Sequence, residues 1–100
     1  MAVTAIDEYE VLYAANSFVP RIWLKSGGNF IGQLVFMPDG SALPEDTQDS
    51  LYYHLEDFEN AYAVLSGQKP VYLLFSGSGP GYENGILTAA EPVGQGVSAP

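Results

Sequence analysis

The chain has 100 residues, with 12 Asp+Glu against 3 Lys+Arg, one His and no Cys, for a formal net charge of −9. So few cations suit neither the neutralisation of nucleic-acid phosphates nor binding to an anionic membrane surface. Without Cys there is no disulfide, no thiol nucleophile and no thiolate-ligated zinc or iron–sulfur centre.

Leu, Ile, Val and Phe total 27 residues, above the roughly 20% level below which chains tend to disorder. A chain of this length supports one domain with one core. The expectation is a single domain over residues 1–93, followed by a flexible tail over 94–100 that has no apolar pattern. No apolar run approaches the roughly 18 residues of a membrane span. Met1 to Glu10 carries Asp7, Glu8 and Glu10 but no basic residue, unlike the basic-then-apolar order of a signal peptide. A soluble, cytoplasmic protein is expected.

In chain order, residues 8–15 (EYEVLYAA) place Tyr9, Val11, Tyr13 and Ala15 at a period of two. That reads as a strand, with a short helix over 5–15 as the alternative. Residues 16–20 read as a turn. Arg21–Ser26 and Asn29–Met37 are β-rich runs separated by Gly27-Gly28, which suits the positive φ of a tight hairpin. Ile22 and Leu24 face one way in the first arm; Arg21, Trp23 and Lys25 face the other. In the second arm Phe30, Gly32, Leu34 and Phe36 alternate with Ile31, Gln33, Val35 and Met37. Both of its faces are largely apolar, so a central strand is predicted, and Gly32 marks a bulge or a close backbone approach.

Residues 38–50 (PDGSALPEDTQDS) form a polar loop with two prolines and four acids. Tyr52, Tyr53 and His54 lie in a short β-like run. A helix is predicted from Asp57 to Ser66, with Phe58, Ala61, Tyr62 and Leu65 at i, i+3, i+4 and i+7. Its first turn holds Glu56, Asp57 and Glu59, favourable at the positive end of the helix dipole. Gly67 is placed to be the C′ residue, and Pro70 blocks continuation. Val71–Ser76 is too short for a helix and reads as a buried strand. Residues 77–81 form a glycine-rich loop, Asn84-Gly85 is a turn signal, and 86–93 forms a last strand. The predicted fold is α+β: an antiparallel or mixed sheet of about five or six strands with one helix packed on a face, and a small, strongly curved barrel as runner-up.

The candidate chemistry is sparse. His54 is the only histidine, with Ser50, Glu56 and Asp57 near in sequence, but a histidine base needs an orienting acid and a partner nucleophile in fixed geometry. No catalytic residue, metal ligand set or cofactor is assigned. The glycine loop lacks the Lys-Ser/Thr and the following helix of a phosphate-binding loop. The acidic stretch is the strongest anomaly: between Lys25 and Lys69 there are seven acids and no Lys or Arg. Its spacing is not that of an EF-hand. Seven Tyr, five Phe and one Trp exceed what one small core absorbs, and Tyr and Trp favour interfaces.

Three readings follow. The first is a non-enzymatic protein-interaction module or accessory/regulatory subunit. Its partner-binding residues are Trp23, Glu45, Asp46, Asp49, Tyr52, Tyr53, Glu56, Asp57 and Glu59. Its partner is another protein, with a basic surface, or a second copy in a homodimer; neither nucleic acid nor membrane is expected. The second is an acidic mimic of nucleic acid that inhibits a basic protein. The third is an enzyme or small-ligand binder whose 38–50 and 77–85 loops close over a ligand near Tyr53, His54 and Glu83.

Overall fold

A computed structural model describes residues 2–90. Chain order runs β1 (Ala2–Ile6), β2 (Glu8–Leu12), β3 (Arg21–Ser26), β4 (Asn29–Met37), β5 (Ser50–His54), a 3-10 turn (Leu55–Asp57), α1 (Phe58–Gly67), β6 (Val71–Phe75) and β7 (Gly85–Thr88). The class is α+β, as the sequence predicts. The strands form two sheets, however, not one sheet of five or six: a three-stranded sheet β1-β6-β7 and a four-stranded sheet β2-β3-β4-β5. All neighbours are antiparallel except β4 and β5, which are parallel. Residues 91–100 lie outside the described residues. The predicted tail and the far end of the predicted last strand fall there.

The division into two sheets comes from Asp7. It stands alone between β1 and β2, and there the chain passes from one sheet into the other. Its N–H donates to the Lys25 carbonyl at 3.0 Å, and its carboxylate accepts the Gly27 N–H at 2.7 Å. The bend is thereby tied to the β3–β4 hairpin, whose two glycines both have positive φ. The segment 8–15 is a strand rather than a helix over Glu8–Leu12. β1 carries no apolar pattern to announce it, because four of its five residues are exposed.

The inner faces of the two sheets meet in one core. Ile22 and Leu24 of β3, Leu34 and Phe36 of β4, and Leu51 of β5 pack with Val71 and Leu73 of β6 and with Ala61 and Leu65 of α1. Burying such side chains contributes roughly 1.5–3 kcal/mol each. Gly32 serves both predicted purposes. The β3–β4 register shifts beside it, between Leu24 and Lys25, and a Cβ at Gly32 would stand 3.2 Å from the Leu73 side chain of the opposite sheet. The shift moves Phe30 out of the face it shares with Leu34 and Phe36 in the sequence pattern. Phe30 is 50% exposed and packs edge-on against Trp23, with ring centroids 6.1 Å apart. β4 is central, and Val35 is buried on its opposite face beside its register partners Arg21 and Tyr52.

α1 runs one residue past the predicted end. Gly67 is its last helical residue, not a left-handed C′ residue, and the chain leaves through Gln68 in an extended conformation. Tyr62 departs from the predicted buried stripe: it is 44% exposed and lies edge-on to Tyr9 at 5.9 Å, while Val64 packs on the core instead. Among the described residues no helix is long and apolar enough to cross a membrane.

Candidate functional site

The nine residues expected to bind a partner separate into four places. Glu45, Asp46, Asp49 and Tyr52 lie where the 38–49 loop returns to β5. Asp46 accepts the Tyr52 N–H at 2.9 Å through one carboxylate oxygen. Its other oxygen accepts from the Asn84 side-chain amide at 3.1 Å. Asn84 also donates to the Gly77 carbonyl at 2.8 Å and accepts the Ser76 N–H at 2.7 Å. The two loops expected to flank a ligand do meet. They do so by bonding to each other, around an open groove of about 490 Å³ lined by Leu43, Pro44, Glu45, Asp46, Tyr52, Gly79 and Pro80. Its only ionisable acids are Glu45 and Asp46, and Asp46 is already engaged on both oxygens. Asp49 and Glu83 are exposed.

Tyr53 is the second place, and it faces inward. Its ring stacks on Phe36 with centroids 5.6 Å apart, and its hydroxyl approaches Gly85 of β7. Burial, then the nearby charges of Asp46 and Asp57, push its pKa up to about 12. Asp57 lines the same shallow groove with Asn60, Val64 and Ile86. Half-buried, this phenol packs against the core and also lines that groove.

Trp23 is the third place, on the outer face of β3, with Lys25, Phe30 and Gln33 around it. Lys25 is paired there with Glu10 at 2.9 Å. That pair, chiefly its hydrogen bond, raises the Lys25 pKa. This face is the reverse of the one on which Ile22 and Leu24 meet Ala61 and Leu65 of α1 in the core.

The fourth place holds Glu56 and Glu59, on the front of the 3-10 turn and the first turn of α1. They line an open groove of about 500 Å³ with Tyr13, Leu55, Phe58 and Tyr62. Tyr13 is 66% exposed and meets Phe58 edge-on at 5.7 Å. Phe58 is anchored from behind by Phe36 at 4.8 Å. The backbone under Glu56 is fixed as well, because its N–H donates to the Asp39 carboxylate at 2.7 Å. Tyr13, Leu55, Phe58 and Tyr62 were not among the expected binding residues. Their sequence signals are a tyrosine within a period-two run, a leucine at the end of the β-like run 51–55, and two helical positions that serve equally well as core.

The histidine has a structural employment. His54 Nε2 lies 2.7 Å from the Ser41 carbonyl. A carbonyl only accepts, so that nitrogen carries the proton and ties the 38–49 loop to β5. The Ser50 hydroxyl accepts from Gln33 Nε2 at 3.0 Å. Among the described residues no three or more His, Asp and Glu gather as a metal site. Comparison with protein-family models, with curated proteins and with solved structures gives no match.

Proposed function

We propose that this chain is a small acidic protein-interaction module, without catalytic activity of its own, that docks a basic segment of another protein in the groove formed by Tyr13, Leu55, Glu56, Phe58, Glu59 and Tyr62. A cytoplasmic setting is part of the proposal and rests on composition alone. One observation carries the reading: exposed aromatic side chains, rigidly backed, are rimmed by two carboxylates, with no Lys or Arg lining the groove. Tyrosine-rich, partly desolvated patches concentrate binding energy, and an acidic rim raises on-rate and selectivity toward basic partners. A second copy of the chain is a poorer occupant, because it brings another −9 of charge.

The test is titration of a fluorescein-labelled peptide of alternating Leu and basic residues. Comparison is made with a Glu56→Lys/Glu59→Lys double variant, circular dichroism confirming that both proteins are folded. Reversal is restricted to these two because Asp57 also faces Tyr53. The expected result is a rise in Kd of about tenfold or more. Equal affinity for the two proteins would remove this groove as the docking site.

A further inference from the structure

Resting on that docking reading, we propose that the groove is built to take an arginine side chain from the partner, its guanidinium stacked on the aromatic walls and paired with Glu56 or Glu59.

The walls come first. Tyr13 and Phe58 stand at 90° to each other with centroids 5.7 Å apart, so a planar group entering the groove meets one ring by its face and the other by its edge. Two of the three aromatic side chains lining the groove are braced from outside it: Phe58 by Phe36, and Tyr62 edge-on by Tyr9. Burial, then the hydrogen bond and charge of Tyr62, raise the Tyr9 pKa above its ordinary value.

The rim comes second. Glu56 and Glu59 are three residues apart and both exposed, a spacing that puts two helical side chains on one face. They lack an internal cation. The one ion pair among the described residues is Lys25–Glu10, and Arg21 lies over the Phe18 ring at 5.9 Å. The carboxylates over the groove are therefore available to an incoming charge.

The occupant's chemistry follows. Guanidinium is planar, weakly hydrated and forked. It stacks on an aromatic face while donating two parallel hydrogen bonds to one carboxylate. A lysine ammonium is compact and strongly hydrated, so it neither stacks nor pairs bidentately. An open aromatic groove with carboxylates at its lip discriminates in favour of arginine, through cation–π contact and charge together.

The experiment uses three peptides identical except at one central position: arginine, lysine or citrulline, the last having arginine's shape without its charge. Each is titrated into the wild-type protein, Tyr13→Leu and Glu59→Gln. Both substituted residues are exposed at the surface, and thermal melts confirm that the variants fold. The expected order is arginine tightest, lysine weaker by roughly three- to tenfold, and citrulline weakest. Both variants are expected to lose most of the preference for arginine over lysine. Equal binding of the arginine and lysine peptides to the wild type, with both still sensitive to Glu59→Gln, overturns the arginine inference and leaves the docking reading standing. A preference for arginine that survives in both variants places the arginine site elsewhere and overturns it too. Binding of none of the peptides overturns both readings.

Discussion

Tyr53 shows how one side chain is set by its surroundings. In the unfolded chain its phenol ionises near 10, and in the folded protein near 12, because burial and the charges of Asp46 and Asp57 disfavour the phenolate. The folded state holds the proton more tightly. The resulting stabilisation is complete below pH 10 and is lost as pH rises through 12. Other tyrosines titrate in the same range, so the measurement is a difference. Denaturant melts of wild type and Tyr53→Phe are compared at pH 9 and at pH 11.5. The wild type is expected to lose stability relative to the variant, on the order of 2 kcal/mol over that interval. A constant difference would show that Tyr53 ionises freely in the folded state. Asp46 is the second residue whose role is specific. Its two oxygens join the β5 edge to the 76–84 loop. Asp46→Ala is expected to destabilise by about 1.5–3 kcal/mol. Because Asp46 and Asn84 share that junction, Asp46→Ala and Asn84→Ala should couple by about 0.5–3 kcal/mol in a double-mutant cycle; simple additivity would argue against a connected network.

The elements divide their labour along the same lines. β3 and β4 supply four of the nine residues of the core cluster, and their pattern was plain in the sequence because Ile22, Leu24, Leu34 and Phe36 alternate strictly and end fully buried. α1 has two faces with different duties. Ala61 and Leu65 seal the core, while Phe58, Glu59 and Tyr62 line the candidate groove. Truncation on the two faces should separate stability from binding. Leu65→Ala is expected to lower unfolding free energy by about 2–5 kcal/mol. Tyr13→Leu, across the groove, should stay within about 0.5 kcal/mol of wild type. Urea melts of the two variants check this, and a large loss in Tyr13→Leu would mean that the groove wall is part of the core. The binding residues on α1 were hard to foresee because an amphipathic stripe does not say where its edge lies. Phe58, Ala61, Tyr62 and Leu65 share one helical spacing, and only the packing of Tyr62 on Tyr9 turns it outward.

At the scale of the whole molecule, charge acts on folding and on association with opposite signs. A net −9 on 100 residues repels itself in the folded state, and salt screens that repulsion over a Debye length of about 10 Å at 0.1 M. Raising sodium chloride from low to moderate concentration is therefore expected to raise Tm. The same salt should weaken capture of a basic peptide. Both trends come from a thermal scan and a binding titration over one salt series. A Tm that falls with salt would mean that favourable ion pairs outweigh the repulsion. Three of the acids are in any case committed to local structure: Asp7 at the hairpin, Asp39 at the 3-10 turn and Asp46 at the loop junction. A uniform acidic face imitating nucleic acid has correspondingly fewer carboxylates to draw on.

The sequence by itself determined the class, the hairpin, the central strand, the helix and the acidic, aromatic surface. Each of these rests on local periodicity, on glycine and proline chemistry, or on composition, and such signals are complete within a few neighbouring residues. The tertiary structure alone decided that the chain passes at Asp7 from one sheet into the other, that the two loops bond to each other, that Tyr53 packs against the core and that Trp23 lies beside Glu10 and Lys25 on the outer face of β3. It also brought Tyr13 to Phe58, residues 45 positions apart in the chain. Those outcomes depend on which faces meet after distant segments pack. No local pattern encodes that choice, because the same apolar and aromatic residues satisfy a core and a groove equally well until a neighbour covers them.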